Sequence, residues 1–310
     1  MTTNTISREP HGDSLPKPAW IRVKLPAGET CAQLKALIHS KSLHTVCEAA
    51  RCPNMAECWG CGTATFMILG DVCTRDCRFC AVKHGPVDTP VNASFEPLQV
   101  AQAVASMGLR HAVITSVTRD DLADGGAAVF AETVRRVREH APACTVELLV
   151  PDFQGNDAAL TTVLEACPEI LGHNLETVPR LYPIARPQAD YQRSLRLLQS
   201  AKSIDPDVAT KSGIMVGLGE TWEEVLTVMC DLRRMNCDIL TIGQYLSPSK
   251  AHVRVQRYYT PAEFATLKRI GRRTGFSHVE SGPLVRSSYH AESQARKSII
   301  AKHRGEECII

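Results

Sequence analysis

The stretch CTRDCRFC, Cys73 to Cys80, places three thiols on one short segment with gaps of three and two residues. Three thiolates can hold zinc with one position open, or three irons of a [4Fe–4S] cube with the fourth iron free. Zinc sites usually gather ligands in separated pairs and close at four, so three thiols on one loop better suit the corners of a cluster. A structural zinc loop is the rival. A second set, Cys47, Cys52 and Cys58, has gaps of four and five residues and also stops at three. Two incomplete sets favour chemistry at an open metal position over an electron carrier, which would close its sites with four cysteines.

The elements that must position these thiols are legible as short apolar runs alternating with amphipathic stretches. The runs are ATFMILG (64–70), HAVITS (111–116), TVELLV (145–150), EILGHN (169–174), TKSGIMVG (210–217) and DILTIG (238–243). Near-continuous hydrophobicity suits strands covered on both faces, as in a parallel sheet. Between them, Val100, Ala103, Val104 and Met107 share one helical face, as do Trp222, Val225, Leu226 and Met229, and Phe130, Val134 and Val137. Further helices are predicted over 189–203 and from Pro261, where proline suits a first turn.

Six strand–helix units favour an α/β fold with right-handed crossovers. A full eightfold barrel takes about 250 residues, so a partial (β/α)6 barrel over residues 64–275 is expected. An open sheet with helices on both faces is the alternative. Residues 1–63 and 276–310 are then extensions, the first carrying the second cysteine set. The CTRDCRFC segment falls in the loop after the first strand, on the carboxyl-end face where such folds assemble active sites.

Composition bounds the rest. A net charge of +2 and 5% aromatics argue against a nucleic-acid partner, and no run reaches membrane-spanning length. The first twenty residues lack an apolar signal region and read as a flexible leader on a cytoplasmic protein. Thirteen cysteines, an odd number, eight of them between Cys31 and Cys80, speak for metal rather than a disulfide scaffold.

CxxxCxxC after strand one, with Phe79 before the last cysteine, resembles the radical S-adenosylmethionine superfamily. The upstream CxxxxCxxxxxC narrows the resemblance to the lipoyl synthase family. It is carried as well by RDDLADGGA (119–127), LVPDFQG (149–155), HNLETV (173–178), TKSGIMVGLGET (210–221), LTIGQYL (240–246) and SGPLVRSSYHA (281–291). Biotin synthases and methylthiotransferases also join sulfur to carbon, but the upstream trio and RSSY count against both.

The resemblance implies that Cys73, Cys77 and Cys80 hold a [4Fe–4S] cluster whose open iron binds S-adenosylmethionine. An electron from it then cleaves the sulfonium to methionine and a 5′-deoxyadenosyl radical. It implies an auxiliary [4Fe–4S] cluster on Cys47, Cys52 and Cys58, completed by a serine of RSSY and consumed as sulfur donor. We assign that ligand to Ser288, with Ser287 second. The reaction implied is insertion of sulfur at C6 and C8 of an octanoyl group on a lipoyl carrier domain. The carrier would be a glycine cleavage H protein or a 2-oxoacid dehydrogenase E2. Two S-adenosylmethionine molecules are used per product, with reduction by ferredoxin or flavodoxin. The saturated carbons carry no activating group, so the cofactor must supply the reactivity.

For the cofactor itself, Phe79 is expected near the adenine. Gly125 and Gly126 are expected where backbone approaches closely, although Asp-Gly-Gly also suits a helix cap. His173, Asn174 and Glu176 follow the fourth strand and are expected at the site rim, where they would orient S-adenosylmethionine; a helix-capping role is the alternative for Asn174. Lys211, a lysine inside a buried strand, needs either a cofactor carboxylate or a neighbouring acid. Cys61 forms C-x-x-C with Cys58 but precedes a strand, so it is read as a bystander. Cys144, Cys167, Cys230 and Cys237 are read as small hydrophobes; Cys31 and Cys308 are assigned no role. The tail ARKSIIAKHRGEE is basic enough to meet an acidic carrier, or simply solvated.

Overall fold

The computed structural model describes residues 15–22, 35–36, 38–41, 43–50, 52–60, 64–87 and 95–295. Cys31, Cys61, Cys308, the leader through residue 14 and the tail beyond residue 295 lie outside them.

All six apolar runs form strands: Thr65–Ile68 (β2), His111–Ser116 (β5), Thr145–Leu149 (β6), Ile170–Gly172 (β7), Ala209–Val216 (β8) and Ile239–Gln244 (β9). Each lies parallel to the next in chain order. Two more complete an eight-stranded sheet. His44–Thr45 (β1) pairs antiparallel with β2, and His278–Gly282 (β10) pairs parallel with β9. The strand order runs from β1 to β10, with no pairing between those two among the described residues. The strand β10 extends the sheet past residue 275. Its sequence, HVESG, has one apolar residue in five and no hydrophobic signature; Glu280 is met by Lys268 at 3.0 Å. A separate two-stranded ribbon pairs Val72–Cys73 (β3) with Lys83–His84 (β4).

Helices fill the crossovers: Phe95–Ser106 (α3), Ala127–His140 (α4), Asp157–Leu164 (α5), Tyr191–Ile204 (α7), Trp222–Arg234 (α8) and Pro261–Thr274 (α9). Short turns at Val46–Ala49 (α1), Met55–Gly60 (α2) and Tyr182–Ala185 (α6) sit among the loops. Val100, Ala103 and Val104 on α3, and Phe130, Val134 and Val137 on α4, are at most 1% exposed; Val225 and Met229 on α8 are buried, whereas Trp222, Leu226 and Met107, which lies just past α3, are partly buried against the core. Capping boxes fix where α8 and α9 begin, through Thr221 with Glu224 and Thr260 with Glu263. Proline follows the second cap, at the first turn, as its fixed φ favours.

Within the strands, side chains alternate between helix layer and barrel interior. Phe66 and Ile68 of β2 and Ala112 and Ile114 of β5 are sealed in the core. Their neighbours Thr65, Met67, Val113 and Thr115 face two cavities. Opposite them, β8 and β9 place Gly213 and Gly243, so the interior is left unfilled where other barrels pack side chains.

Candidate active site

The CTRDCRFC loop begins where β2 ends. Leu69 and Gly70 take positive φ (69° and 90°), which turns the chain outward, and the Leu69 N–H is met by Glu96 Oε2 at 2.9 Å. The β3–β4 ribbon then pairs Cys73 with His84, and a tight turn sets the Cys80 N–H 2.9 Å from the Cys77 carbonyl. His252 lies 2.9 Å from the Cys80 carbonyl through Nε2, so the loop after β9 closes over the far end.

Arg75, between the first two cysteines, clamps this loop. Its Nε and Nη2 donate to Asp120 at 2.6 and 2.8 Å, and Nη2 also donates to Asp152 at 2.6 Å. Arg75 is 5% exposed and Asp152 1%. Burial would raise the Asp152 carboxyl, but the Arg75 guanidinium outweighs it and holds the group at about 2. The loops after β2, β5 and β6 are thereby fastened by one cation. Sequence reasoning missed Arg75, Asp120 and Asp152 in this role; the signal was an arginine inside the thiol loop and one acid in each of two later loops.

The three thiols open onto one cavity of about 230 Å³, with Phe79, His173 and Asn174 also in its wall. Cys73 Sγ accepts two backbone N–H groups, from Arg75 and Thr118, each at 3.4 Å. Burial pushes the Cys77 thiol up to about 12 and Cys80 to about 11. Such groups are poor thiolates by themselves, and a coordinated metal is what would deprotonate them. Among the described residues, no three His, Cys, Asp or Glu side chains converge tightly enough for a single metal ion. The donor set, its one-loop origin and the adjoining cavity fit an iron–sulfur cluster.

The second set meets the C-terminal motif. Cys47, Cys52, Arg286, Ser287 and Ser288 line a neighbouring cavity of about 210 Å³. Burial raises the Cys47 thiol, and Cys52 is near enough to add to that rise electrostatically; burial also raises Cys52, against the Arg286 cation. Cys58 is not in that cavity wall; it lies on α2, packed against the core and beside Tyr289. Three contacts hold RSSY to the trio. Asn54 Nδ2 donates to the Leu284 carbonyl at 2.6 Å, Tyr289 OH to Glu57 at 3.0 Å, and Arg286 faces Cys52. Gly243 makes the seating possible, because a Cβ there would run into the Val285 carbonyl.

Asn174 stands in the wall common to both cavities, with Glu176. Its Nδ2 donates to Glu176 Oε1 at 3.0 Å and to Ser287 Oγ at 2.6 Å. It caps no helix.

Gly125 and Gly126 line neither of these two cavities; within the chain, what approaches them is Phe153 and Leu69. Gly126 (φ 91°) precedes α4, and a Cβ there would clash with Leu69, while one on Gly125 would lie 3.0 Å from Phe153 Cδ1. Asp124 does cap α4, accepting from the Gly126 and Ala128 N–H groups at 2.9 Å each. Lys211 likewise lines neither cavity. Its Nζ is 2.7 Å from Glu147 Oε1, both side chains 2% exposed, and Glu147 Oε2 is 3.4 Å from His111 Nε2. Residue 211 sits near the amino end of β8, paired with Gly172 and Ile239, away from the carboxyl-end cavities. The neighbouring acid is the partner that its buried charge required.

The chain matches the Radical SAM superfamily over residues 67–232 and the N-terminal domain of lipoyl synthase over residues 3–52. The segment read as a leader therefore falls within a family domain. Lipoyl synthase of Rubrobacter xylanophilus is 58% identical over 279 residues, covering 90% of this chain and 86% of the relative. That of Halalkalibacterium halodurans is 57% identical over 284 residues, covering 91% and 93%. Among solved structures, methylornithine synthase superposes with a TM-score of 0.53 at 15% identity, covering 88% of this chain and 93% of that one. The hydrogenase maturase HydG gives 0.57 at 12%, covering 75% and 54%. These two share the fold. The relatives match along nearly the whole chain, and it belongs to the lipoyl synthase family of radical S-adenosylmethionine enzymes, which use a [4Fe–4S] cluster and S-adenosylmethionine to insert sulfur into a carrier-bound octanoyl group.

Proposed function

We propose that the cavity at Cys73, Cys77 and Cys80 is the radical-generating half of the site. Cys47, Cys52 and Cys58, with Ser288, would hold a second [4Fe–4S] cluster as the sulfur source. The observation that carries this reading is the shared wall: Asn174 and Glu176 face both cavities, and Asn174 reaches the serine pair. A chain threaded there would lie between the two thiol sets. When bound, the first cluster and its sulfonium ligand supply the one-electron chemistry that unactivated C–H bonds require.

The protein's own part is placement and exclusion of water. Val46, Val113, Ile214 and Met215 give the second cavity an apolar lining suited to an alkyl chain. Ser287 already accepts from Asn174, which favours Ser288 as the ligand. Serine oxygen is a harder donor than thiolate and less well matched to iron–sulfur, so that iron is the one held most weakly. Two saturated carbons each lose one hydrogen, hence two cofactor molecules per product.

The carrier is proposed to be an H protein or E2 lipoyl domain, and the donor a ferredoxin or flavodoxin. Among the described residues no helix is long and apolar enough to cross a membrane. Free thiols dominate the described cysteines, which suits a reducing compartment, and we place the reaction in the cytoplasm. Residues 64–275 carry the six strand–helix units, and the extensions at 1–63 and 276–310 each add one strand, β1 and β10, to the same sheet.

The test is anaerobic turnover of reconstituted protein with an octanoylated carrier peptide and S-adenosylmethionine, following peptide mass together with iron and sulfide per chain. The expected result is gain of two sulfurs with loss of about four irons. Sulfur gain with unchanged iron would exclude a sacrificial second cluster.

A further inference from the structure

His173 is 3% exposed, and its ring is half satisfied. Nδ1 lies 2.8 Å from the Val150 carbonyl. A carbonyl only accepts, so Nδ1 carries the proton and Nε2 presents a lone pair. That Nε2 is buried and has no partner, in a side chain that lines the cavity of Cys73, Cys77, Cys80 and Phe79. Burial, reinforced by the nearby Arg186 cation, pushes the imidazole down to about 4, so it is neutral near pH 7. A buried acceptor left without a donor costs about 1–3 kcal/mol, and native structures leave few of them.

On the same wall Arg186 gives Nη1 to the carbonyls of Asn174 and Leu175. Its own buried Nε also lacks a partner. An acceptor and a donor are thus both unanswered in a cavity whose apolar substrate chain can answer neither. The sulfonium cofactor can, since it carries hydroxyls and an ammonium.

We propose that His173 is a positioning residue for that cofactor: its Nε2 accepts a hydrogen bond from a hydroxyl or ammonium donor of bound S-adenosylmethionine. The assignment rests on Cys73, Cys77 and Cys80 marking the cofactor cavity.

The experiment measures equilibrium binding of S-adenosylmethionine, 5′-deoxyadenosine and methionine to reconstituted full-length protein without carrier. It compares wild type, His173→Phe, His173→Gln and Cys77→Ala. Phenylalanine fills the ring volume without an acceptor and should weaken S-adenosylmethionine at least tenfold. Glutamine can place its amide oxygen where Nε2 stands and should recover most of that loss. Iron content and melting temperature should be unchanged in both His173 variants.

The fragment that loses affinity locates the donor: 5′-deoxyadenosine if it is a hydroxyl, methionine if it is the ammonium. Wild-type affinity for all three ligands in His173→Phe would overturn the proposal, leaving Nε2 to solvent water. Equal loss of both fragments, with iron loss and no recovery in the glutamine variant, would also overturn it, as the mark of a structural residue. Undiminished S-adenosylmethionine binding by Cys77→Ala would instead sink the cavity assignment, whatever His173 does.

Discussion

The two thiol sets are built in opposite ways. Cys73, Cys77 and Cys80 belong to one loop, and that loop is bolted down by a buried cation reaching two other strand ends, Arg75 with Asp120 and Asp152. Cys47, Cys52 and Cys58 come from two short helical turns and the segment between, and meet residues more than two hundred positions later through Asn54 and Glu57. The first is a local motif made rigid; the second exists only once both ends of the chain have packed on the sheet. A cofactor used and released repeatedly needs fixed geometry, whereas a centre proposed to give up its sulfide must come apart.

The sharpest break of that comparison is a pair of ligand substitutions. Cys77→Ala should abolish cofactor cleavage by more than about a thousandfold, because no side chain can replace the cluster. Cys52→Ala should leave reductive cleavage of S-adenosylmethionine within about threefold and abolish sulfur insertion, each variant losing about four irons. Loss of cleavage in both would mean that the sets are not independent. Ser288→Ala is the milder cut. Sulfur insertion should fall at least about tenfold with cleavage intact, read as product formed per methionine released; normal insertion would return the ligand role to Ser287 or to neither serine.

Stability separates the two regions next. Removing Arg75 as Ala strips Asp152 of its closest cation and leaves it only Arg193 at 3.4 Å and the Gln154 N–H at 3.1 Å, a loss of about 1–3 kcal/mol. A denaturant midpoint unchanged by Arg75→Ala would show that the clamp is not what stiffens the first loop. Lys211→Met asks the same of the opposite barrel end. Burial would raise the Glu147 carboxyl, and Lys211 and His111 together hold it below its ordinary value. A depressed folded value means the pair stabilises fully above about pH 4.3 and loses its contribution as pH falls. In Lys211→Met that part of the acid slope should vanish, with cofactor affinity unaltered; lost affinity instead would restore Lys211 to the cofactor.

How much of this was legible follows from the same contrast. The six core strands and the α3, α4 and α8 faces were readable because each is buried by its own periodic residues. The CTRDCRFC loop was readable because its ligands are contiguous. HVESG was not, since β10 is held by backbone pairing and an ion pair rather than by apolar alternation. Lys211 misled because a buried charge announces a need without naming its partner, which lies on β6, 64 positions away in sequence. Arg75 was hidden for the same reason, its acids being 45 and 77 positions distant. For the glycines of RDDLADGGA, a missing side chain says only that something comes close, and within the chain Leu69 and Phe153 do.

The smallest effect tests the second region most directly. Asn54 is 4% exposed, and its side-chain amide donates across 230 positions to the Leu284 carbonyl. Asn54→Ala leaves that carbonyl short of a donor and should cost about 1–3 kcal/mol. The cost should fall locally, because the Arg75 clamp and the β2–β9 core share no group with this bond. The melting temperature should therefore move little, while amide exchange over residues 283–290 quickens and sulfur insertion falls with cofactor cleavage untouched. Were cleavage to fall in step with insertion, the serine segment would have to be packed into the first loop as tightly as into the second set, and the distinction between a rigid centre and an assembled one would not hold.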